Sequence, residues 1–313
     1  MNRICQLAGI KYPIFQGSMA WVAFPPLVAA VSNAGGLVIL TGSIYTTDDM
    51  DKQIRAVREL TGKPFGVNFT PTAPNIQEVL DVCLQEKVSL VTYGRGDAAM
   101  ITARLRPQGV LSFPVVPTVR AAVKAEKDGA DGVIVSGYEA GGHVGRIGSL
   151  ALVPQAVDRV SIPVVAAGGF GDARGLAAAL ALGAEGVQMG TRFICTQECS
   201  APLNIKMRFL RATEEDTLVT GHITGIRCRV LKNKLSEVFD DLEDRQAPQS
   251  EFDRAGLGKI RQAFVEGDEE MGSLCGGQVV GMLHDIPTCQ ELIERIAQGA
   301  QQVLAGALAR ASF

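Results

Sequence analysis

The chain of 313 residues has one tryptophan and three histidines, and no unbroken apolar run approaches the length of a membrane span. Its N-terminal stretch, MNRICQLAGIKYPIF, has no apolar core of signal-peptide length, so a cytoplasmic protein with no membrane partner is expected. Positive charge is not in excess. A net charge of −3 argues against a nucleic-acid binder, which would usually be basic. The seven cysteines, an odd number, are scattered at Cys5, Cys83, Cys195, Cys199, Cys228, Cys275 and Cys289. Only CTQEC (195–199) brings two close together, and no histidine is spaced to complete a zinc site. Reduced, buried thiols and no metal centre are therefore expected. No GxGxxG follows the first strand, which removes the main support for a dinucleotide-binding Rossmann domain.

What is present is one repeated grammar. Hydrophobic residues make up 47% and charged residues 20%, enough for a sizeable core, and many of the 35 glycines stand at the ends of apolar runs. Short β-branched runs read as strands at 12–17, 37–42, 64–69, 88–94, 111–118, 132–137, 163–169 and 186–194. Between them lie amphipathic, alanine-rich segments at 27–36, 49–60, 75–86, 119–130 and 173–184 that read as helices. Strands apolar throughout belong to a parallel sheet covered on both faces, and eight such units predict a (β/α)₈ TIM barrel. KDGADGVIVSG (127–137) and ALGAEGVQMGT (181–191) echo each other as neighbouring repeats would. After strand eight the pattern changes. Residues 200–270 are richer in charge and lack paired strand runs, so a mainly helical insertion or lid is expected there, with 1–199 and 271–313 forming the barrel. LKNKLSEVFDDLED and FDRAGLGKIRQAFVEG read as its helices, and 288–311 as a long final helix of the barrel.

The site of such a barrel lies at the C-terminal ends of its strands. There the sequence places Gln16-Gly17-Ser18-Met19, Thr41-Gly42, Asn68, Thr92-Tyr93-Gly94, Pro117-Thr118, Glu139 to Gly145, Ala167-Gly168-Gly169 and Gln188-Met189-Gly190-Thr191. Amides, hydroxyls and small residues dominate, which suits a flat, hydrogen-bonding cofactor better than a metal-activated water. AAGGFGD and QMGTR, after strands seven and eight, can aim backbone N–H groups into one phosphate-sized space. His143, in GYEAGGHVGRIG (137–148), stands among glycines on the strand-six loop and could exchange a proton with a substrate lying over such a cofactor. His222 and His284 lack a comparable frame and read as structural or surface residues. Trp21 either packs on a ligand or fills the barrel rim.

FQGSMAW, GGLVIL, KPFGVN, EAGGHVG, PVVAAGG, GVQMGTRF and GSLCGGQVVGML occur in this order from Ile10 to about residue 285. Together they resemble the nitronate monooxygenase family of FMN-dependent barrels, and within it most of all the flavin-dependent (type II) enoyl-acyl-carrier-protein reductases of bacterial fatty acid synthesis. The resemblance implies FMN, with Met19 and Asn68 at the flavin ring. It implies that Gly168, Gly169, Gln188, Gly190 and Thr191, with Met189 among them, hold the ribityl chain and phosphate, and that Gln278 closes over from the later segment. His143 matches the family's catalytic histidine in its GGHxG motif. The reductases take electrons from NADPH or NADH and pass hydride to the β-carbon of a trans-2-enoyl thioester, carried on acyl carrier protein or coenzyme A. A monovalent cation often activates them, and no motif here places one. The resemblance also implies a homodimer. Oxidation of alkyl nitronates with O₂, the reaction of the monooxygenases, stays open.

VTGHITGIRCRVLKNKLS (219–236) favours the reductases, and the basic islands at 204–212 and 227–234 would attract an acidic carrier protein or simply form a solvated face. Two loops depart from the reductase pattern. NFTPTAP replaces a longer-chained apolar run, and TYGRGD (92–97) brings Arg95 and Asp97 toward the mouth, so a more polar acyl pocket is expected unless Arg95 turns to solvent and pairs with Asp97.

Overall fold

The β-branched runs become strands because both of their faces are covered. The computed structural model describes residues 2–42, 44–71, 75–94 and 99–311; Arg95 and Asp97 lie outside the described residues, as does the middle of the NFTPTAP loop. Eight parallel strands close into a barrel: β1 (Ile14–Gln16), β2 (Leu37–Thr41), β3 (Gly66–Phe69), β4 (Leu90–Tyr93), β5 (Leu111–Val116), β6 (Val133–Ser136), β8 (Val164–Ala167) and β9 (Gly186–Met189). The intervening β7 (Gly142–His143) lies outside it. Closure is made by β9 on β1, where Phe15 stands opposite Gln188 and Gln16 opposite Met189. The expected TIM barrel is thus the fold.

Side chains alternate between the two faces of each strand. Ile14, Val38, Leu40, Val67, Val91, Val133, Val135, Val187 and Met189 pack into the layer shared with the helices. Phe15, Leu37, Ile39, Leu90, Phe113, Ile134, Val165 and Ala167 fill the interior, plugged by Ile4 and Ala8 of the helix Arg3–Ala8. The Phe15 and Phe113 rings lie 6.1 Å apart at 51° in the centre of that interior, where truncating either to alanine would cost about 3–5 kcal/mol.

The outer helices form where apolar spacing meets a cap. In Thr47–Leu60 the buried Met50, Ile54 and Val57 share one face, and the Thr46 hydroxyl accepts from the Asp49 N–H at the start. The helix Cys289–Arg310 opens with a reciprocal Thr288/Glu291 capping box and packs on Ala173–Ala181 and Pro25–Asn33, so it does complete the helical ring. Gly299 allows that approach, since a Cβ there would lie 2.7 Å from the Ala173 Cβ. Among the described residues no helix is long and apolar enough to cross a membrane.

Three expectations need correction. The eighth barrel strand ends at Met189, and Thr191–Ile194 is a helical turn with all four side chains buried. Among the described residues no strand pairs with 191–194, and the Phe193 N–H donates to the Gly190 carbonyl instead. Residues 200–270 do contain paired strands: β10 (Thr217–Thr220) and β11 (Cys228–Leu231) form an antiparallel pair, and β11 also pairs with β7. The segment FDRAGLGKIRQAFVEG is two helices, Gln249–Gly256 and Lys259–Phe264, divided where Gly258 takes a φ of +73°.

Candidate active site at the barrel mouth

The interior changes character toward its C-terminal end. Above the apolar layers, the next inward positions by alternation are Thr41, Asn68, Thr92, Ser136 and Gln188. Asn68 Nδ2 donates to the Thr92 hydroxyl at 2.9 Å and carbonyl at 3.1 Å, and Ser18 Oγ lies 2.7 Å from Thr41 Oγ1. Gly17 leaves room for Gln188, whose Cδ would be 2.9 Å from a Cβ at that position. The barrel therefore ends in a polar, mutually braced floor, with the amides of Asn68 and Gln188 half-buried on it.

Beside this floor three backbones meet. Gly168 and Gly169 take φ values of +84° and +83°, and a Cβ at Gly168 would lie 2.8 Å from the Gly137 carbonyl oxygen. At Gly277 a Cβ would lie 2.7 Å from the Glu139 carbonyl oxygen, so the segment carrying Gln278 presses onto the strand-six loop. Hydrogen bonds hold the contact. Gly277 N–H donates to Thr191 Oγ1 at 2.9 Å, Gln278 N–H donates to Glu139 O at 3.0 Å, and Ser149 Oγ donates to Gly168 O at 2.5 Å. The Glu139 carboxylate is turned onto the start of the helix Ser149–Val157, where it accepts from Ser149 N–H at 2.9 and 3.0 Å. Gly190, with Met19 Sδ 3.6 Å from its would-be Cβ, completes the rim. The structure thus brings Met19, Gly168, Gly169, Gln188, Gly190, Thr191 and the Gln278 segment to one end of the barrel. A cradle with no room for a side chain at Gly168 or Gly277, edged by backbone groups and a buried hydroxyl, suits an anionic ester, and the amide floor suits a planar ring with hydrogen-bonding edges.

Met189 departs from the expected arrangement. Its side chain is buried in the outer layer, because it alternates with Gln188, and its carbonyl accepts from Gly17 N–H at 2.9 Å. Only its backbone faces the site.

His143 sits on the rim sheet, exposed, with its backbone opposite Cys228 of β11. Sequence reasoning missed what holds that sheet. Arg229 is 3% exposed; its guanidinium donates to Tyr138 O and Thr217 Oγ1 and lies 4.8 Å over the Tyr138 ring. Burial lowers the Arg229 pKa from its ordinary value, while the nearby Tyr138 and Glu139 oppose that shift. Several charges of the basic islands are engaged within the protein. Lys206 is buried on Thr196 O, Arg208 donates to Lys232 O, and Arg211 and Lys234 pair with Glu269 and Glu270. The alternation of those charges with apolar residues was the available signal.

Trp21 takes a φ of +63°, in the left-handed region where a bulky residue is strained, and lies under Arg261 of the insertion at 5.8 Å. His222 accepts from Arg227 Nε at Nδ1 (3.3 Å) and donates from Nε2 to Val219 O (2.8 Å), a structural role as expected, and His284 is exposed.

Fold and mouth define a (β/α)₈-barrel enzyme. The chain belongs to the nitronate monooxygenase family, whose model matches residues 2–79 and 70–299, and it is an oxidoreductase by that membership. It is 36% identical, across 95% of each chain, to the (3aS,4S,5R,7aS)-5-hydroxy-7a-methyl-1-oxo-octahydro-1H-indene-4-carboxyl-CoA dehydrogenase of Rhodococcus jostii (strain RHA1). Among solved structures it resembles FabK from Thermotoga maritima, with a TM-score of 0.96 and 38% identity over 99% of each chain. It also resembles the nitroalkane oxidase of Streptomyces ansochromogenes, with a TM-score of 0.86 and 32% identity over 97% of this chain and 99% of that one.

Proposed function

We propose that the protein is an FMN-dependent reductase of enoyl thioesters that uses NADPH or NADH, of the enoyl-acyl-carrier-protein reductase type. The observation that carries the reading is the glycine cradle beside an amide floor, with His143 on a separate sheet at the rim. Gly168, Gly169, Gly190 and Thr191 would hold the phosphate, and Met19, Asn68 and Gln188 would orient the ring. Bound FMN would supply reversible hydride transfer at that floor. His143 would polarise the thioester carbonyl or deliver a proton to the α-carbon, stabilising the enolate charge that develops there. Arg229 would position His143 through the rim sheet, and the insertion, resting on Trp21, would act as a lid. Support for a thioester comes from the likeness to FabK and to a dehydrogenase named for a carboxyl-CoA substrate.

A second reading is oxidation of alkyl nitronates with O₂, favoured by the likeness to a nitroalkane oxidase. Anaerobic stopped-flow mixing separates the two. Rapid bleaching of the flavin by NADH or NADPH, followed by reoxidation with trans-2-enoyl thioesters, supports the reductase. Slow bleaching together with oxygen uptake on propionate 3-nitronate supports the oxidase. Parallel assays with acyl-carrier-protein and coenzyme A esters decide the carrier.

A further inference from the structure

Two of the seven cysteines, Cys228 and Cys275, meet beside the rim sheet. Cys228 stands on β11 directly opposite His143, and Cys275 pairs by a single bridge with Val230, two residues along the same strand. The two Sγ atoms are 3.9 Å apart, and Ser273 Oγ lies 3.8 Å from Cys275 Sγ. Cys228 and Cys275 are half-buried as residues, whereas Cys83, Cys195, Cys199 and Cys289 are fully buried. Hydrogen bonds from Cys228 and Ser273 hold the Cys275 thiol below its ordinary range, against the effect of burial. Burial instead pushes Cys83 and Cys195 up to about 12.

We propose that Cys228 and Cys275 are a reversible oxidation site, closed to a disulfide by hydroperoxides, that fastens the rim sheet bearing His143 to the segment lining the cradle. The Cys275 thiolate attacks the peroxide, the O–O bond breaks, and a sulfenic acid and an alcohol or water form. The Cys228 sulfur then displaces hydroxide from that sulfenic sulfur, its proton leaving as water. The two thiols lose two electrons and the peroxide gains them. Closure needs the sulfurs to move from 3.9 Å to a bonded separation of about 2 Å, a shift within the range of side-chain rotation. The consequence follows from connectivity. Cys275 leads into Gly276 and Gly277, and Gly277 donates to Thr191, while Cys228 belongs to the strand that pairs with β7. The cross-link therefore ties the two sides of the mouth together, and a thiol reductant releases them.

The test uses the flavin-loaded protein treated with hydrogen peroxide and mapped by mass spectrometry without reduction. The expected product is a linked peptide pair containing Cys228 and Cys275, lighter than the sum by two hydrogens and separated again by dithiothreitol. Amide hydrogen exchange across β7 and β11 should slow by roughly tenfold in the oxidised form. C228S, and independently wild-type protein alkylated before oxidation, should show neither change. Sulfinic acid on either cysteine without the linked pair would overturn the proposal, as would a linked pair that leaves exchange unaltered. Neither readout depends on the reaction catalysed, so failure here is distinct from failure of the reductase reading.

Discussion

Gly277 donates its backbone N–H to the Thr191 hydroxyl at 2.9 Å, joining two loops 86 residues apart at the edge of the cradle. The hydroxyl accepts with one lone pair and keeps its own proton to offer an anion. Thr191→Val removes both functions and strands a buried donor, at a cost of about 1–3 kcal/mol. We expect FMN affinity to fall roughly tenfold or more in that variant. Thr191→Glu, which sets a negative charge against the phosphate, should lose flavin during purification. The ratio of flavin to protein absorbance reads both, and unchanged flavin content would remove Thr191 from the cradle.

Gly168→Ala tests the backbone itself. The residue has a φ of +84°, and a Cβ would lie 2.8 Å from the Gly137 carbonyl oxygen. The strained conformation alone costs about 1–3 kcal/mol, so thermal unfolding should shift down by several degrees and bound flavin should fall with it. A variant of normal stability and normal flavin content would contradict the cradle geometry.

His143→Ala should separate binding from turnover. The residue belongs to the rim sheet and not to the cradle, so flavin content should stay at the wild-type level. Enoyl reduction should fall by at least about 100-fold, the usual scale of general acid catalysis. Reduction at the wild-type rate would take His143 out of the chemistry.

Asp285 predicts a pH dependence. Arg295 first, and Arg192 as well, hold its carboxyl below the ordinary value of 3.8. A carboxylate depressed in the folded state contributes stability that is fully present above the unfolded value and is lost as pH falls through the folded one. Asp285→Asn should therefore be less stable than wild type by a constant amount above about pH 5, and the gap should close at lower pH. Urea unfolding at pH 7 and at pH 3 measures it; an equal gap at both values would contradict the pairing. The carboxylate is nearly half exposed, so the effect should be modest.

Much of the barrel was legible in the sequence because its signal is local. Each strand lies in a short, mostly apolar run, and most end at a glycine or polar residue. The candidate site was legible for the same reason, since residues such as Gly168 and Asn68 mark strand ends. The rim sheet was not. TLVT and CRVL are four-residue runs without clean alternation, and β7 is two residues whose partner β11 lies about 85 positions away, so pairing is set by tertiary contact. The charges misled for a related reason. Arg229 and Lys206 read as surface, yet both are buried because backbone carbonyls accept hydrogen bonds from them. Met189 was placed at the cofactor by its position in the motif, whereas strand alternation turns its side chain the other way.

The central claim is that the glycine turns after β8 and β9 bind a phosphate. Titrating the flavin-free protein with FMN and with riboflavin, followed by quenching of flavin fluorescence, tests it most directly. Two or more charge-assisted hydrogen bonds to the phosphate predict that FMN binds at least about 100-fold more tightly. Equal affinity for the two flavins would contradict the account.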